Sequence, residues 1–415
     1  MKISLSIRSN SVVISLIGFG VKAEENFDVS AKHAIAVEAN TGKILYEKDA
    51  DTTAGIASIT KMLTVYMVYK EIKSGDLTWS SKVKISDYPY SLTKDYSASN
   101  VPMDAREYTV KELVEASMIA SANSAAIALA EKVGGTEPKF VDMMKKQLQE
   151  WGITDAKLVN ASGLNNKTLG DHIYPDSSSE DENMMSARDV AIVAHHLIKE
   201  FPQVLKITEK TNSDFSGNKM ETYNYMLPNM PYAREGVDGL KTGTTELAGA
   251  CFVATSKENG MRLISVVLNA DKSDSDDDAA RFQATNNLLN YVNNTYEPIT
   301  LIHKGQTYQG SKVKVIDGKR TTVPAVAKKN FTVIQNKLSH KKNTVSIASK
   351  KNGYTAVIKK GQLVAKATFK DDNLVGQGYL ETPPSIPLVA KKEVKRSFFL
   401  KVWWNHFVRY VNEKL

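Results

Sequence analysis

A long and almost wholly apolar helical segment is the feature of this sequence that most constrains its fold. Apolar residues occupy nearly every side of a helix over residues 56–74: Ile59, Met62, Leu63, Val65, Tyr66 and Val68. A helix without a polar face is stable in a water-soluble domain only where other elements cover it. We therefore predict that this helix lies at the centre of a domain.

The flanking sequence predicts that this domain, residues 24–293, contains both helices and strands. Residues 33–37 and 42–46 surround an Asn-Thr-Gly turn, which is typical of a hairpin. Residues 248–255 and 262–269 surround an Asn-Gly turn and predict a second hairpin. Between the two hairpins, the sequence Thr-Val-Lys-Glu from Thr109 is a capping box that starts a further helix.

Both ends of the chain carry segments with other properties. Residues 1–23 combine Lys2 and Arg8, a short apolar run and small residues before Ala23, which predicts a secretory signal peptide. Residues 296–382 contain short segments in which apolar and polar residues alternate, separated by Asp-Gly, Asn-Gly and Lys-Gly pairs. This pattern predicts a small all-β domain. The proline-rich residues 383–390 are interpreted as a stiff linker.

The last segment, residues 391–415, is predicted to be an amphipathic helix. Its apolar residues recur at helical spacing and include Trp403, Trp404 and Phe407, while Lys401 lies on the opposite side. Aromatic residues opposite a basic face are typical of a helix that lies in the plane of a membrane interface. A helix docked on the protein's own core is the alternative.

Charge and cysteine content exclude several functional classes. The net charge is +8, but no basic, aromatic-rich motif indicates nucleic acid, so an anionic membrane or wall polymer is the preferred partner. The single cysteine, Cys251, allows no intramolecular disulfide and lies in an apolar run typical of a buried strand. His195 and His196 lack a third ligand at metal-binding spacing, so neither a metal nor another cofactor is expected.

The residues with the clearest chemical potential are Ser58 and Lys61. Spaced by three, they lie on one face of a helix, where the amine reaches the hydroxyl. Serine becomes nucleophilic when a base removes its proton, and a lysine buried near other cations is neutral enough to act as that base. The Ser-x-x-Lys spacing also occurs elsewhere in the chain, for example at Ser81, Ser91 and Ser339, but only Ser58 opens the long apolar helix.

Two further short motifs follow in the chain. Ser121 and Asn123 lie in a helical region and face a cleft only if the helix is interrupted there. Ser121 would then relay a proton, and Asn123 would bind a substrate amide. Lys241-Thr242-Gly243 opens a predicted strand: the lysine lowers the pKa of a neighbouring lysine, the threonine binds a carboxylate, and the glycine lets a substrate backbone approach.

In this order, the motifs at Ser58, Ser121 and Lys241 resemble those of β-lactamases and penicillin-binding proteins. The resemblance covers residues 28–290 and is strongest to the low-molecular-mass D-alanyl-D-alanine carboxypeptidases, whose layout also includes a small β domain and a terminal amphipathic helix. It implies an α+β fold, with a β-lactamase/transpeptidase-like catalytic domain in which an antiparallel sheet is flanked by helices. Ser121-Ala122-Asn123 departs from the Ser-Asp-Asn of β-lactamases, and residues 160–164 and 186–189 resemble further family segments.

The resemblance implies a serine acyl-enzyme and assigns roles to the motif residues. Ser58 attacks the penultimate D-alanine of a peptidoglycan stem peptide, Lys61 takes its proton, and Ser121 protonates the departing D-alanine. Backbone amides of Ser58 and Thr244 form the oxyanion hole, while Lys241, Thr242 and Thr244 hold the terminal carboxylate. Family members often carry an arginine for this carboxylate upstream of the lysine motif; Arg234 is the only arginine near that position and is not assigned to the site.

These observations leave three functional hypotheses. The first is a carboxypeptidase that is exported, tethered through residues 391–415 to the outer face of the cytoplasmic membrane, and acylated by β-lactam antibiotics. The second is a serine β-lactamase, which deacylates penicillin rapidly. The third is a non-catalytic wall-binding scaffold.

Overall fold

The computed structural model describes residues 27–95, 97–271, 277–339 and 344–414. The predicted signal peptide, residues 1–23, lies outside them.

The helices are α1 Lys61–Ser74, α2 Asp87–Leu92, α3 Val110–Ile119, α4 Asn123–Gly134, α5 Glu137–Glu150, α6 Ala187–Glu200, α7 Leu205–Thr208, α8 Asp277–Thr295 and α9 Phe399–Lys414. The strands are β1 Ala31–Glu38, β2 Lys43–Lys48, β3 Ala54–Gly55, β4 Lys82–Lys84, β5 Glu107–Thr109, β6 Met184–Met185, β7 Asn212–Phe215, β8 Asn218–Glu221, β9 Val237–Thr245, β10 Gly249–Glu258, β11 Met261–Ala270, β12 Tyr296–Ile302, β13 Lys312–Ile316, β14 Thr322–Ala327, β15 Phe331–Asn336, β16 Thr344–Ser349, β17 Tyr354–Thr355, β18 Leu363–Lys370 and β19 Ser385–Ala390. Short 3-10 turns span Ala57–Thr60, Asn166–Leu169 and Pro202–Val204.

The N-terminal domain is built on a five-stranded antiparallel sheet in the order β2-β1-β11-β10-β9. Both predicted hairpins are present. The turn between β10 and β11 places Asn259 and Gly260 at φ of 48° and 77°, which is the left-handed pair that a two-residue hairpin requires. The expected antiparallel sheet is therefore confirmed.

Helix α1 lies at the centre of this domain, as its apolar sequence predicts. Residues 61–69 are all buried, and they pack in one hydrophobic core with α3, α4, α5 and α6 against one face of the sheet. Helix α8 covers the opposite face, where Phe252 of β10 and Phe282 of α8 pack edge to face. Because the sheet is covered on both faces, its central strands are buried along nearly their full length.

The C-terminal domain is all-β, as predicted. Its main sheet has the strand order β16-β18-β19-β14-β13-β17, and β12 pairs with β15 beside it. The inward positions of these strands form a separate core that includes Val323, Phe331, Val364 and Leu388.

The interpretation of residues 383–390 as a linker was wrong. Residues 385–390 form β19, which pairs with β18 on one side and β14 on the other. Ile386, Leu388 and Ala390 alternate into the core, which is the period-two pattern of a strand. Pro387 is tolerated because it lies beyond the β14 ladder, which ends at the pair Ala327–Leu388, so its missing N–H breaks no bond to β14.

A buried cluster of polar interactions connects the two domains. The Lys43 ammonium of β2 lies 2.6 Å from the Asp371 carboxylate, and it also donates to the carbonyl of Ile334. Tyr379 donates a hydrogen bond to the same carboxylate. The amide of Ile44 donates to the carbonyl of Gly378, so the C-terminal domain covers the β2 edge of the catalytic sheet and leaves the β9 edge on the far side.

Helix α9 begins at Phe399 and not at residue 391, because residues 394 and 396 form bridges with Ile358 and Gly318 of the β domain. Among its apolar side chains, Val402 is buried, whereas Trp403 and Trp404 are 64% and 57% exposed. The helix contacts the β domain through the His406 imidazole, 2.9 Å from the Asp317 carboxylate. Within the described residues, no helix combines the length and the hydropathy needed to cross a bilayer.

Candidate active site

The nucleophile candidate, Ser58, lies in the 3-10 turn that leads directly into α1. Its side chain is half-buried, while Ala57 and Ile59 on either side are buried. Ala57 has a φ of 45°, in the left-handed region that residues with a side chain rarely adopt. The strained backbone turns the serine out of the core at the N-terminal end of the central helix, where unpaired amides favour negative charge.

The Lys61 amine occupies the first position of α1 and is fully buried. Its nitrogen lies 2.8 Å from Ser58 Oγ, 2.7 Å from Asn123 Oδ1 and 2.7 Å from the carbonyl oxygen of Ser162. The amide and carbonyl oxygens can only accept hydrogen bonds. If the Lys61 amine is neutral, these two oxygens accept hydrogen bonds from both of its N–H groups. The nitrogen lone pair is then directed at the serine hydroxyl.

The electrostatic surroundings favour that neutral form. Burial, and after it the nearby positive charge of Lys241, hold the pKa of Lys61 well below its ordinary value. Lys241 is itself fully buried, and burial together with Arg281 lowers its pKa to about 7. A buried amine whose pKa is lowered and which is hydrogen-bonded to a serine has the properties of a general base.

The helix interruption on which the interpretation of Ser121 depends is present. Helix α3 ends at Ile119 and α4 begins at Asn123, and Ser121 between them has a φ of 55°. Asn123 Nδ2 donates to the carbonyl of Ser99, which turns its Oδ1 towards Lys61. Ser121 is buried beside this amide, but within the described residues it makes no hydrogen bond to Ser58 or Lys61.

The Lys241-Thr242-Gly243-Thr244 segment forms the β9 edge of the sheet. It packs against the 3-10 turn Ala57–Thr60, which we call the serine turn. A Cβ atom on Gly243 would lie 2.7 Å from the carbonyl oxygen of Ile56 and 3.2 Å from the Ala57 Cβ. Glycine is therefore required here by the serine turn, whereas the sequence interpretation assigned the space to a substrate backbone. Thr244 is exposed at the edge.

Arginine contacts at this edge come from a residue that the sequence analysis missed. Arg281 of α8 is buried and donates to the carbonyls of Gly243 and Cys251 and to Thr244 Oγ1, the last at 2.7 Å. Arg234 instead pairs with Glu258 and Asn286. Arg281 follows Lys241 by forty residues, and no local pattern connects the two.

A buried loop, residues 159–164, completes the surroundings of Lys61. Asn160 Oδ1 accepts from the amides of Ser162 and Gly163, and Glu137 accepts from the amide of Ala161. Asn183 donates to the carbonyl of Asn160, which ties the loop down from another side. The sequence analysis singled out 160–164 as a segment but missed Glu137 and Asn183, which hold it in place.

Two other predictions bear on alternative sites. Cys251 is fully buried in β10, and its sulfur contacts the carbonyl of Ala248. His195 is buried beside Lys199, and burial lowers its pKa to about 4. In the described part of the chain, no three His, Cys, Asp or Glu side chains are grouped so as to hold a metal ion.

The fold and this arrangement define the class of penicillin-recognising serine acyl-transfer enzymes. Residues 20–272 match the family model of D-alanyl-D-alanine carboxypeptidases, and residues 296–396 match the C-terminal domain of penicillin-binding protein 5. The chain thus belongs to the D-alanyl-D-alanine carboxypeptidase family, and the predicted enzyme class, a serine-type carboxypeptidase, is confirmed.

Relatives share the whole architecture. D-alanyl-D-alanine carboxypeptidase DacF of Bacillus subtilis is 28% identical over 373 residues, which cover 89% of this chain and 87% of the relative. The crystal structure of a peptidoglycan synthesis regulatory factor (PBP3) from Streptococcus pneumoniae is 52% identical, with a TM-score of 0.85, and covers 89% of this chain and 100% of that one. Penicillin-binding protein 5 from Haemophilus influenzae is 25% identical with a TM-score of 0.69, covering 90% and 100%.

Proposed function

We propose that this protein removes the terminal D-alanine from peptidoglycan stem pentapeptides through an acyl-enzyme on Ser58. Ser58 Oγ attacks the carbonyl carbon of the penultimate D-alanine while Lys61 takes the hydroxyl proton. The amide C–N bond breaks, and the departing D-alanine amine receives a proton through Ser121. Water then attacks the ester, releases the shortened peptide and returns the proton to Ser58.

The observation that carries this proposal is the hydrogen bonding of Lys61. Its two acceptor-only partners, Asn123 Oδ1 and the Ser162 carbonyl, each lie at 2.7 Å, and Ser58 Oγ lies at 2.8 Å. A charged ammonium would donate to all three oxygens and could not accept the serine proton. Burial and Lys241 lower the pKa of Lys61, which supports the neutral base.

Groups at the β9 edge would bind the two negative charges of the substrate, the developing oxyanion and the terminal carboxylate. We assign the oxyanion hole to the backbone amides of Ser58 and Thr244, and the terminal carboxylate to Lys241, Thr242 and Thr244. The hydrogen bond that Arg281 donates to Thr244 Oγ1 supports this assignment, because it leaves the hydroxyl hydrogen of Thr244 free to be donated to an anion.

We further propose that the protein is exported, that residues 24–293 and 296–398 act as catalytic and β domains, and that α9 anchors the enzyme to the outer face of the membrane. The exposed aromatic side chains of α9 support an interfacial position, because Trp at the headgroup level is favourable. The similarity to penicillin-binding protein 5 from Haemophilus influenzae supports acylation by β-lactams, which imitate the D-alanyl-D-alanine end of the substrate.

The test is the release of D-alanine from a soluble pentapeptide by the wild type, Ser58→Ala and Ser81→Ala. Ser81 is a matched control because it begins another Ser-x-x-Lys sequence away from the site. We expect release to be lost in Ser58→Ala and unchanged in Ser81→Ala. Equal release by Ser58→Ala and the wild type would overturn the assignment. If all three proteins release only background D-alanine, the scaffold hypothesis prevails.

A second experiment separates the carboxypeptidase from a β-lactamase. We expect a fluorescent penicillin to form a long-lived adduct, located on Ser58 by mass spectrometry of the labelled peptide. Rapid hydrolysis of the drug without a stable adduct would favour the β-lactamase instead.

A further inference from the structure

The two domains carry opposite charges. Residues 27–295 contain 28 Lys or Arg against 37 Asp or Glu, a net charge of −9. Residues 296–398 contain 20 Lys or Arg against 6 Asp or Glu, a net charge of +14 in about a quarter of the chain. The overall charge of +8 therefore hides a strong separation, and the excess of positive charge belongs to the domain without the catalytic residues.

The positive charge of the β domain lies on its surface, and little of it is compensated. All 18 Lys and Arg residues that the structure describes in 296–398 are exposed. Of the six carboxylates, Asp317 and Asp371 have side chains only 3% exposed, and Glu381 is paired with Lys199 of the catalytic domain. Within the described residues, none of the 18 cations forms an ion pair.

Four lysines share one face of the β sheet. The strand register pairs Lys312 with Pro324 and Lys366 with Pro387, and it connects these pairs across β14 and β19 through Val326 and Val389. Directly paired residues point to the same side of a sheet, and so do residues two apart in one strand. Lys312, Lys314, Lys366 and Lys370 are therefore all on the face opposite the domain core, and we call them the basic face.

The basic face is wide enough for an extended ligand. Strands β13 and β18 are three strand spacings apart, or about 14 Å, and Lys366 and Lys370 are separated by about 13 Å along β18. No Asp or Glu occupies an outward position on the five described strands β13, β14, β16, β18 and β19. Lysine is a compact point charge that binds phosphate without demanding one geometry.

We propose that the basic face binds a linear phosphodiester polymer of the cell envelope, and that this contact is independent of the acyl-transfer reaction. A flexible chain of phosphates can follow four lysines across the sheet. The negative catalytic domain is repelled by the same polymer, so binding would orient the molecule with only its β domain against the polyanion.

An anionic bilayer fits the basic face less well. The residues beside α9 are Lys314, at one end of the basic face, and those around Asp317, where the Lys319 amide donates to the carbonyl of Lys395. A planar bilayer to which α9 binds would contact the β domain at the end near Asp317 and β13. Lys366 and Lys370 lie three strands away from β13, beyond the Debye length of about 8 Å at physiological salt.

The test compares two full-length variants with the same loss of charge. The first changes the four lysines of the basic face to Gln, and the control changes four exposed lysines of the catalytic domain, Lys32, Lys111, Lys139 and Lys206, to Gln. Binding to purified poly(glycerol phosphate) is measured at several salt concentrations, and binding to phosphatidylglycerol vesicles is measured in parallel.

We expect the basic-face variant to bind the polymer roughly ten-fold or more weakly, with the slope of log K against log salt reduced by about 3, the value for four lost phosphate contacts on a single-stranded polyanion. The control should bind as the wild type does, and both variants should keep vesicle binding and D-alanine release. Equal weakening in the control would show that only net charge matters and would overturn the proposal. Loss of vesicle binding with unchanged polymer binding would assign the basic face to the membrane and overturn it equally.

Discussion

The pH dependence of stability contributed by Glu137 can be predicted from its position. This residue begins α5 and is 5% exposed. One carboxylate oxygen accepts from the amide of Ala161 at 2.8 Å, and the other accepts from the Tyr88 hydroxyl at 3.0 Å. Burial raises the pKa of Glu137 to about 7, against the two hydrogen bonds, which lower it. The perturbation is Glu137→Gln, which keeps the shape and an acceptor oxygen but cannot ionise.

The sign and the size follow from linkage. The folded carboxyl titrates near pH 7 and the unfolded one near its ordinary value of 4.5. Between these values the folded state binds more protons, so this contribution is fully present below pH 4.5 and is lost as the pH rises to about 7. The difference between the two pKa values corresponds to about 3 kcal/mol. Between pH 5 and pH 8, the wild type should therefore lose about 2–3 kcal/mol more stability than Glu137→Gln.

Urea unfolding at both pH values measures this difference, because the other titrating groups are common to both proteins and cancel. Glu150→Gln, at the other end of the same helix with a half-exposed side chain, is the control and should follow the wild type. Equal pH dependence in Glu137→Gln and the wild type would refute the reasoning. A larger loss in the variant would show that the sign is wrong.

Three further predictions concern the site and the anchor. Gly163→Ala adds a Cβ that overlaps the serine turn, so it should lower the free energy of unfolding by roughly 1–3 kcal/mol and slow acylation by penicillin. Gly170→Ala, also at positive φ but with open space around it, is the control and should be acylated at the wild-type rate. Lys241→Met removes the cation that lowers the pKa of Lys61, so the acid limb of the penicillin acylation rate should move to higher pH; an unmoved limb would contradict the coupling. Deletion of 399–415 should release the protein from membranes with full activity on a soluble peptide, and membrane retention in a fractionation assay would refute the anchor.

Local patterns made much of the fold predictable. The apolar character of α1 indicated its central position, the Asn-Gly pair indicated the β10–β11 turn, and Thr109 with Glu112 does form a capping box. Each of these features depends on residues within one turn or one helix. The strand at 385–390 was misread because its prolines outweighed the alternation of Ile386, Leu388 and Ala390, although that alternation was visible in the sequence.

The candidate site was predictable only in part, for a related reason. The Ser58–Lys61 pair is local, and helix geometry alone brings the amine to the hydroxyl. Arg281, Glu137 and Asn183 act through contacts between segments far apart in the chain, and nothing in their own neighbourhoods indicates those contacts. The proposed role of Ser121 required a helix interruption before Asn123. No proline or glycine near these residues indicated that interruption in the sequence.

Two unfavourable backbone conformations lie where the three chain segments of the site meet. Ala57 and Ser121 both have positive φ, a conformation that costs about 1–3 kcal/mol in residues with a side chain. Gly163 and Gly243 lie against the serine turn so closely that any side chain would collide with it. Each of these features alone would relax if the surrounding core allowed it. Because residues 61–69 of α1 are all buried, the core instead holds the serine hydroxyl, the lysine amine and the strand edge in one fixed arrangement, and it does so before any substrate arrives.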